Sequence, residues 1–347
     1  MRILILYMEL AGYVMACLKA LASIPGVEVL LICWPVNQEA PFKFEQEEAM
    51  RKIERNSQPE KDLWEEIQAF SPDLVFVSGW VDKWYTKVAK AFLQQGIPTV
   101  VGADNQWINS PKQHLASWLS PILLKPSFSH FWVPGPRQYA FASRLGYKAH
   151  QIRTGYYSAD VPVFMEQGLT RSTTPTFPKR LLYVGRLVKE KGVQHLLTAF
   201  RQLPTSDWEL WLAGTGPLEA EAEKIPKVNC LGFVQPGNLP EVLSSCGAGI
   251  LPSIKEPWGV VLHEYVASGL PVLVSDSCGA GESFLRAGYN GLAFRAGEIG
   301  SLQTALEKLF SLSDEELILM GKRSRELAKQ ITPDSWAATL LSVLESQ

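Results

Sequence analysis

The chain reads as an α/β protein built from two doubly wound parallel sheets. Three observations predict this. Its 347 residues are more than one hydrophobic core usually serves. Apolar runs of about five residues alternate with helical stretches of about 10–15. The same alternation restarts at Arg180, after the Pro-, Ser- and Thr-rich segment Ser172–Pro178. The spacing therefore places a linker near 160–178, one domain over 1–165 and a second over 166–330, with a closing helix in 331–347.

In order along the first domain, Ile3–Tyr7 is a continuous apolar strand and Gly12–Ala22 the helix after it. Val27–Trp34 is the second strand. The charged stretch Glu45–Arg55 reads as a helix with a solvated face. Leu63–Phe70 is a helix, Asp73–Val77 a strand, Lys83–Gln95 a helix and Ile97–Val101 a strand, followed by Gly102–Trp107 at a carboxyl end, where such sheets bind ligands. Phe131–Val133 and His150–Thr154 are expected to be strands, and Arg137–Leu145 an amphipathic helix.

Composition narrows the function. With 46% hydrophobic and 20% charged residues the chain is an ordinary globular protein, and a net charge of −2 argues against nucleic acid as a general partner. The scattered Cys17, Cys33, Cys230, Cys246 and Cys278 form no C-x-x-C pair and suit reduced thiols in a cytoplasmic protein; the five histidines lack metal-ligand spacing. No apolar run reaches the roughly 18–20 residues of a spanning helix. One segment departs from the average: Asn105–Ala159 carries six basic residues, no Asp or Glu, and ten aromatics. Two readings stand there, a surface for an anionic partner such as an inner-membrane leaflet or a lipid-linked acceptor, and aromatics in the core with cations spread over several faces. The low density of charge favours the second.

The second domain opens with strand Arg180–Val184, then G-R-L-V-K-E-K-G (Gly185–Gly192) and a helix to Phe200. Arg186 and Lys191 flank that helix start, an arrangement that suits a pyrophosphate: Arg grips two oxygens and Lys adds a point charge. Trp208–Ala213 and Val228–Leu231 are strands, each followed by a glycine-bearing loop, and Leu239–Cys246 is a helix. Strand Gly249–Leu251 runs into a loop with Lys255, Glu256 and Pro257; a helix starts at Trp258 or Gly259, ends before Gly269, and precedes strand Pro271–Ser275. Glu256 and Glu264 thus bracket a helix N-terminus whose free N–H groups suit phosphate. Ser301–Phe310, Asp314–Gln330 and Pro333–Leu344 are helices.

Glu256 and Glu264 eight positions apart with Gly259 between them, then S-G-L-P-V-L-V-S-D (Ser268–Asp276), resemble the donor-site signature of retaining, nucleotide-sugar-dependent glycosyltransferases of family 4, and Gly185–Gly192 resembles that family's diphosphate motif. The resemblance is close over 180–345 and architectural over 1–165. It implies a GT-B fold, two Rossmann-like domains facing a central cleft, the last helix crossing back to the first domain, and transfer from a UDP- or GDP-sugar to an acceptor hydroxyl without a metal, in glycan or glycolipid synthesis. The absence of a D-x-D pair agrees with metal independence.

By the same resemblance, Arg186, Lys191 and the N–H groups of Gly259, Val260 and Val261 hold the diphosphate, beside Trp258. Phe233 and Val234 flank the base, Glu264 holds the ribose and Glu256 positions the sugar as a cleft carboxylate with few core contacts. Gly12 faces the donor from the first domain. At Asp104 the family's common His-Asp pair reads Ala103-Asp104. Asp104 either orients acceptor or sugar, as a catalytic residue, or caps a turn. Two other readings of the whole remain: a sugar-nucleotide epimerase, and a non-catalytic sugar-nucleotide-binding protein of the same fold.

Overall fold

Two parallel sheets, each interleaved with helices, organise the computed structural model, which describes residues 1–35, 50–170, 177–203 and 207–346. They form two units. The first comprises Met1–Ser158 with Ile331–Gln347, the second Ala159–Gln330.

In the first unit the chain runs β1 (Arg2–Tyr7), α1 (Gly12–Ala22), β2 (Glu28–Cys33), β3 (Met50–Glu54), α2 (Glu60–Phe70), β4 (Leu74–Ser78), α3 (Lys83–Leu93), β5 (Thr99–Gly102), α4 (Pro111–Leu123), β6 (His130–Trp132), α5 (Pro136–Arg144) and β7 (Ile152–Arg153). The seven strands are parallel in the order β3-β2-β1-β4-β5-β6-β7. Because helices cover both faces, the central strands are apolar along most of their length: Ile3–Tyr7 in β1 and Leu74–Val77 in β4 are buried without a polar break. Leu4 and Leu6 pack toward α2 and α3, while Ile3 and Ile5 pack toward α1 and the C-terminal helix.

In the second unit come α6 (Val161–Thr170), β8 (Arg180–Val184), α7 (Val193–Gln202), β9 (Glu209–Ala213), α8 (Glu219–Ala222), β10 (Val228–Gly232), α9 (Leu239–Ser244), β11 (Ala248–Leu251), α10 (Val260–Ala267), β12 (Val272–Ser275), α11 (Gly281–Phe284), β13 (Gly291–Phe294), α12 (Ile299–Phe310) and α13 (Asp314–Ala328). Six parallel strands lie in the order β10-β9-β8-β11-β12-β13. Helix α14 (Pro333–Leu341) returns to the first unit, where the Trp336 indole N–H donates to Tyr156 O (2.7 Å) and its ring lies 4.8 Å from Trp132.

Two expectations are corrected. The described part of the charged stretch Glu45–Arg55 is not helical: Met50–Glu54 form the edge strand β3, paired to β2, while 45–49 lie outside the described residues. Its charges serve the strand, since Arg51 pairs with Glu66 and Arg55 with Glu60 (2.5 Å), both on α2. A charged edge strand resists further pairing, and its lack of alternation hides it from pattern reading.

The segment expected as linker begins with α6, which packs within the second unit. A Cβ on Gly168 would stand 2.4 Å from Ser268 O, and Arg325 donates to Gly168 O (3.3 Å). The units therefore part between Ser158 and Ala159, ahead of the expected 165/166. Buried His263 on α10 fixes that edge: its Nδ1 accepts the Ala159 N–H (3.0 Å) and its Nε2 donates to Ala328 O (2.9 Å). Residues 171–176 lie outside the described ones. Helix α4 has no counterpart among the sequence expectations; Leu115, Trp118, Ile122 and Leu123 are exposed, so no core-facing stripe announces it.

Candidate functional site

The second sheet reverses its strand order between β8 and β11, and this is where an open parallel sheet leaves a crevice at its carboxyl ends. The two loops leaving those strands carry both motifs singled out in the sequence. After β8, Gly185–Gly192 ends in a 3₁₀ turn over Lys189–Lys191; after β11, Pro252–Gly259 leads into α10. They are joined backbone to backbone, with Ile254 N–H donating to Glu190 O (3.0 Å). Gly192 makes the joint feasible. It sits at φ +72°, and a Cβ there would lie 1.9 Å from Pro252 O.

Across this joint Lys191 Nζ meets Glu256 Oε2 at 2.6 Å. Ser253 Oγ donates to the same oxygen (2.9 Å), and Ser275 and Ser277 hydroxyls both donate to Ser253 O (2.7 Å each). Glu256 is buried, and its backbone bridges to the loop after β12, with Gly279 N–H donating to Glu256 O (3.2 Å). This corrects the expectation of a sparsely contacted cleft carboxylate, because the loop folds back over it. Arg186 stands differently: its side chain is more than half exposed and its guanidinium pairs with Glu190 (3.5 Å) on its own loop.

Gly259, at φ +94°, is the N-cap of α10, and a Cβ there would crowd Leu251, Glu256 and Cys278. The N–H groups at the start of α10 therefore open beside Glu256, and Val260 and Val261 are partly exposed there. Trp258 is buried edge-on to Phe284 (6.2 Å), so its side chain anchors the loop from below. Glu264, one turn into α10, is partly buried. Burial pushes its carboxyl up to about 7, and no side chain among the described residues donates to it.

The neighbouring loops complete the edge. Gly214 N–H donates to Gly232 O (2.7 Å), which sets Phe233 and Val234, both partly buried, beside the loop after β9. That loop in turn bonds to the β8 loop through Leu187 N–H and Thr215 O (2.9 Å). Arg186, Lys191, Phe233, Glu256, Gly259 and Glu264 thus belong to one edge of one sheet.

The first unit's candidates form a separate group. Gly12 opens α1, next to Tyr13, whose ring meets Tyr157 edge-on at 5.4 Å. The Tyr157 hydroxyl makes a long contact, 3.5 Å, to Asp104 Oδ2. Burial first, then Tyr13 and Asp104, raise the Tyr157 hydroxyl's pKa and keep it a donor. Asp104 therefore faces a tyrosine cluster. The sequence reading missed Ser253, Ser275, Ser277 and Tyr157. For Ser253 a signal existed: a hydroxyl three residues before Glu256 in L-P-S-I-K-E.

Comparison with known proteins sets the class first. The chain superposes on sucrose-phosphate synthase from Thermosynechococcus elongatus with a TM-score of 0.76, at 19% identity, covering 99% of this chain and 98% of that one. It superposes on Anabaena HepE in complex with UDP with a TM-score of 0.74, at 18% identity, covering 99% and 100%. Two parallel Rossmann-like sheets of this kind define the GT-B fold. The sequence agrees: residues 170–330, most of the second unit, match the model of glycosyl transferases group 1. An uncharacterized glycosyltransferase of Methanocaldococcus jannaschii is 35% identical over 105 residues, 28% of this chain and 27% of that protein, so the match spans well under two thirds of the relative.

Proposed function

We propose that the chain transfers a sugar from a nucleotide-diphosphate donor, UDP- or GDP-linked, to an acceptor hydroxyl with retention of anomeric configuration. The reading rests above all on Lys191 meeting Glu256 at 2.6 Å where the second sheet reverses, which brings a phosphate-binding motif and a sugar-binding carboxylate to one point. A structural neighbour in complex with UDP supports a nucleotide donor.

In this mechanism the bond between the anomeric carbon and the β-phosphate oxygen breaks. Charge grows on the phosphate, where Arg186, Lys191 and the N–H groups of Gly259–Val261 meet it; no metal is assigned a part. Glu256 accepts hydrogen bonds from sugar hydroxyls and fixes the ring, with Ser253 holding the carboxylate. Glu264 accepts from the ribose, and Phe233 and Val234 flank the base. The acceptor oxygen bonds to the anomeric carbon on the face the leaving group vacates, and its proton passes to a phosphate oxygen. Asp104, with Gly12 on the same unit, is assigned to the sugar or the acceptor.

The test pairs a thermal-shift screen of UDP- and GDP-sugars with product analysis. A true donor at 100 times its dissociation constant adds about 2.7 kcal/mol of stability. Donor turnover that requires an acceptor and gives a glycoside of retained configuration is expected. A new sugar nucleotide formed from donor alone would replace the proposal with an epimerase, and binding without turnover across acceptor classes would make the chain a non-catalytic binder.

A further inference from the structure

Helix α4 is built inside out. Ser110 Oγ accepts the Gln113 N–H (3.3 Å), Pro111 stands in the first turn, and the Gln113 side chain ties Ile108 N–H (2.8 Å) and Gln106 O (2.6 Å) to the helix start. An ordinary surface helix turns its apolar stripe to the core. In α4 the buried residue is Ser120, whereas Leu115, Trp118 and Ile122, spaced to share one face, are 56%, 76% and 72% exposed. The polar side does the packing. Ser117 Oγ donates to Arg144 O at the end of α5, and His114 lies edge-on to Trp107 (5.1 Å). Of the ten aromatics in Asn105–Ala159, Trp118 alone is exposed; Phe128, Phe131, Trp132, Phe141, Tyr147 and Tyr156 are buried. The aromatics are thus mostly core, as the sequence favoured, and the surface feature is this helix.

The charge around the stripe identifies what covers it. Lys112 lies on α4 itself, Lys125 just past its end holds Gly146 O (2.5 Å), and Arg144 lies over the Trp107 ring (4.7 Å). These cations lie on α4, just past its end, or at the end of α5 that Ser117 and Lys125 bond, and the whole segment contains no carboxylate. A second copy of the chain would bring like charges together. Anionic headgroups above acyl chains would satisfy the cations and the stripe at once. At 13 residues α4 is too short to span a bilayer, and none of the described helices is long and apolar enough to do so.

We infer that the outer face of α4 is an interfacial anchor that lays Leu115, Trp118 and Ile122 into an anionic phospholipid surface. The inference goes beyond the proposed reaction and does not depend on it.

The experiment is co-sedimentation of the full chain with extruded vesicles of phosphatidylglycerol and phosphatidylcholine, or of phosphatidylcholine alone. The protein is expected to pellet with the anionic vesicles and to be released as salt shortens the screening length. The doubly substituted W118E/I122E protein should partition about tenfold more weakly or worse, since two large side chains leave the acyl region. Its melting temperature and its affinity for UDP or GDP should match wild type. Absence of binding to anionic vesicles at low salt would overturn the inference, as would equal partitioning of W118E/I122E. Self-association by light scattering that W118E/I122E abolishes, without vesicle binding, would reassign the face to a protein contact.

Discussion

Both sheets reverse their strand order beside their first strand, β1/β4 in one unit and β8/β11 in the other, and a carboxylate stands at each reversal. In the first unit it is Asp82. Its Oδ1 accepts the N–H groups of Trp84 (2.8 Å) and Tyr85 (3.1 Å) as the cap of α3, while Oδ2 takes the Trp34 indole N–H (2.9 Å) and lies 3.6 Å from the Arg55 guanidinium. In the second unit it is Glu256, whose partners include a lysine ammonium and a serine hydroxyl. The difference lies in the kind of donor. Backbone N–H groups at a helix start must stay where they are for the helix to persist. An ammonium and a hydroxyl on side chains can turn to a ligand. One topology thus supplies one position that serves the fold and one that is open to chemistry.

The sharpest way to break this comparison is to neutralise each carboxylate. E256Q keeps the side chain's shape and is expected to slow transfer by about a hundredfold or more, because the sugar loses its charged acceptor. D82A should instead cost about 1–3 kcal/mol of stability through the lost cap and the unpaired Arg55, with transfer nearly unchanged while the protein stays folded. Parallel chemical denaturation and initial-rate measurements decide it. Wild-type turnover in E256Q, or a dead but fully stable D82A, would erase the distinction.

A second, smaller effect concerns the cations. Arg186 is exposed and pairs with Glu190 at 3.5 Å, whereas Lys191 is partly buried on Glu256. Removing both, as R186A/K191A, should weaken binding of the free nucleoside diphosphate by about 2 kcal/mol or more, roughly thirtyfold. Calorimetry should also find K191A less stable than R186A, since Lys191 pairs with the buried Glu256 carboxylate at 2.6 Å. Unchanged affinity in the double variant would remove the pyrophosphate from this edge.

How much of this the sequence revealed depended on which physical signal each part emits. β8 emerges with its bounds intact because its centre, Leu181–Tyr183, is a buried apolar run and Gly185 ends it. Helix α1 does so because its pattern starts after Gly12. Edge strand β3 hides behind Arg51 and Lys52, and α4 hides because its apolar face looks outward, so each defeats a rule that equates apolar with inward. At the site, the motif residues were legible as types at spacings. Their pairing was not, since it depends on Gly192 letting two loops approach within one backbone contact. Ser253, Ser275 and Ser277 were invisible for the same reason: they matter through where the loops fold, and single serines carry no pattern.

The smallest effect expected tests Glu264, to which no side chain among the described residues donates. Burial lifts its carboxyl from 4.5 to about 7. The folded state therefore resists ionisation more than the unfolded state does. Its contribution to stability is full below pH 4.5 and is lost as pH rises through 7. E264Q removes that loss, so its unfolding free energy should match wild type near pH 4.5 and exceed it at pH 8, by no more than about 2 kcal/mol once screening of the partly exposed group is counted. A nucleoside diphosphate adds a discriminating arm. Ribose hydroxyls donating to the ionised carboxylate would favour charge, so the ligand should flatten the wild-type decline between pH 5 and 8 and leave the shape of the E264Q pH profile unchanged. If the wild-type decline persists at saturating ligand, Glu264 does not hold the ribose. Its raised pKa would then be a feature of the fold, like the cap at Asp82.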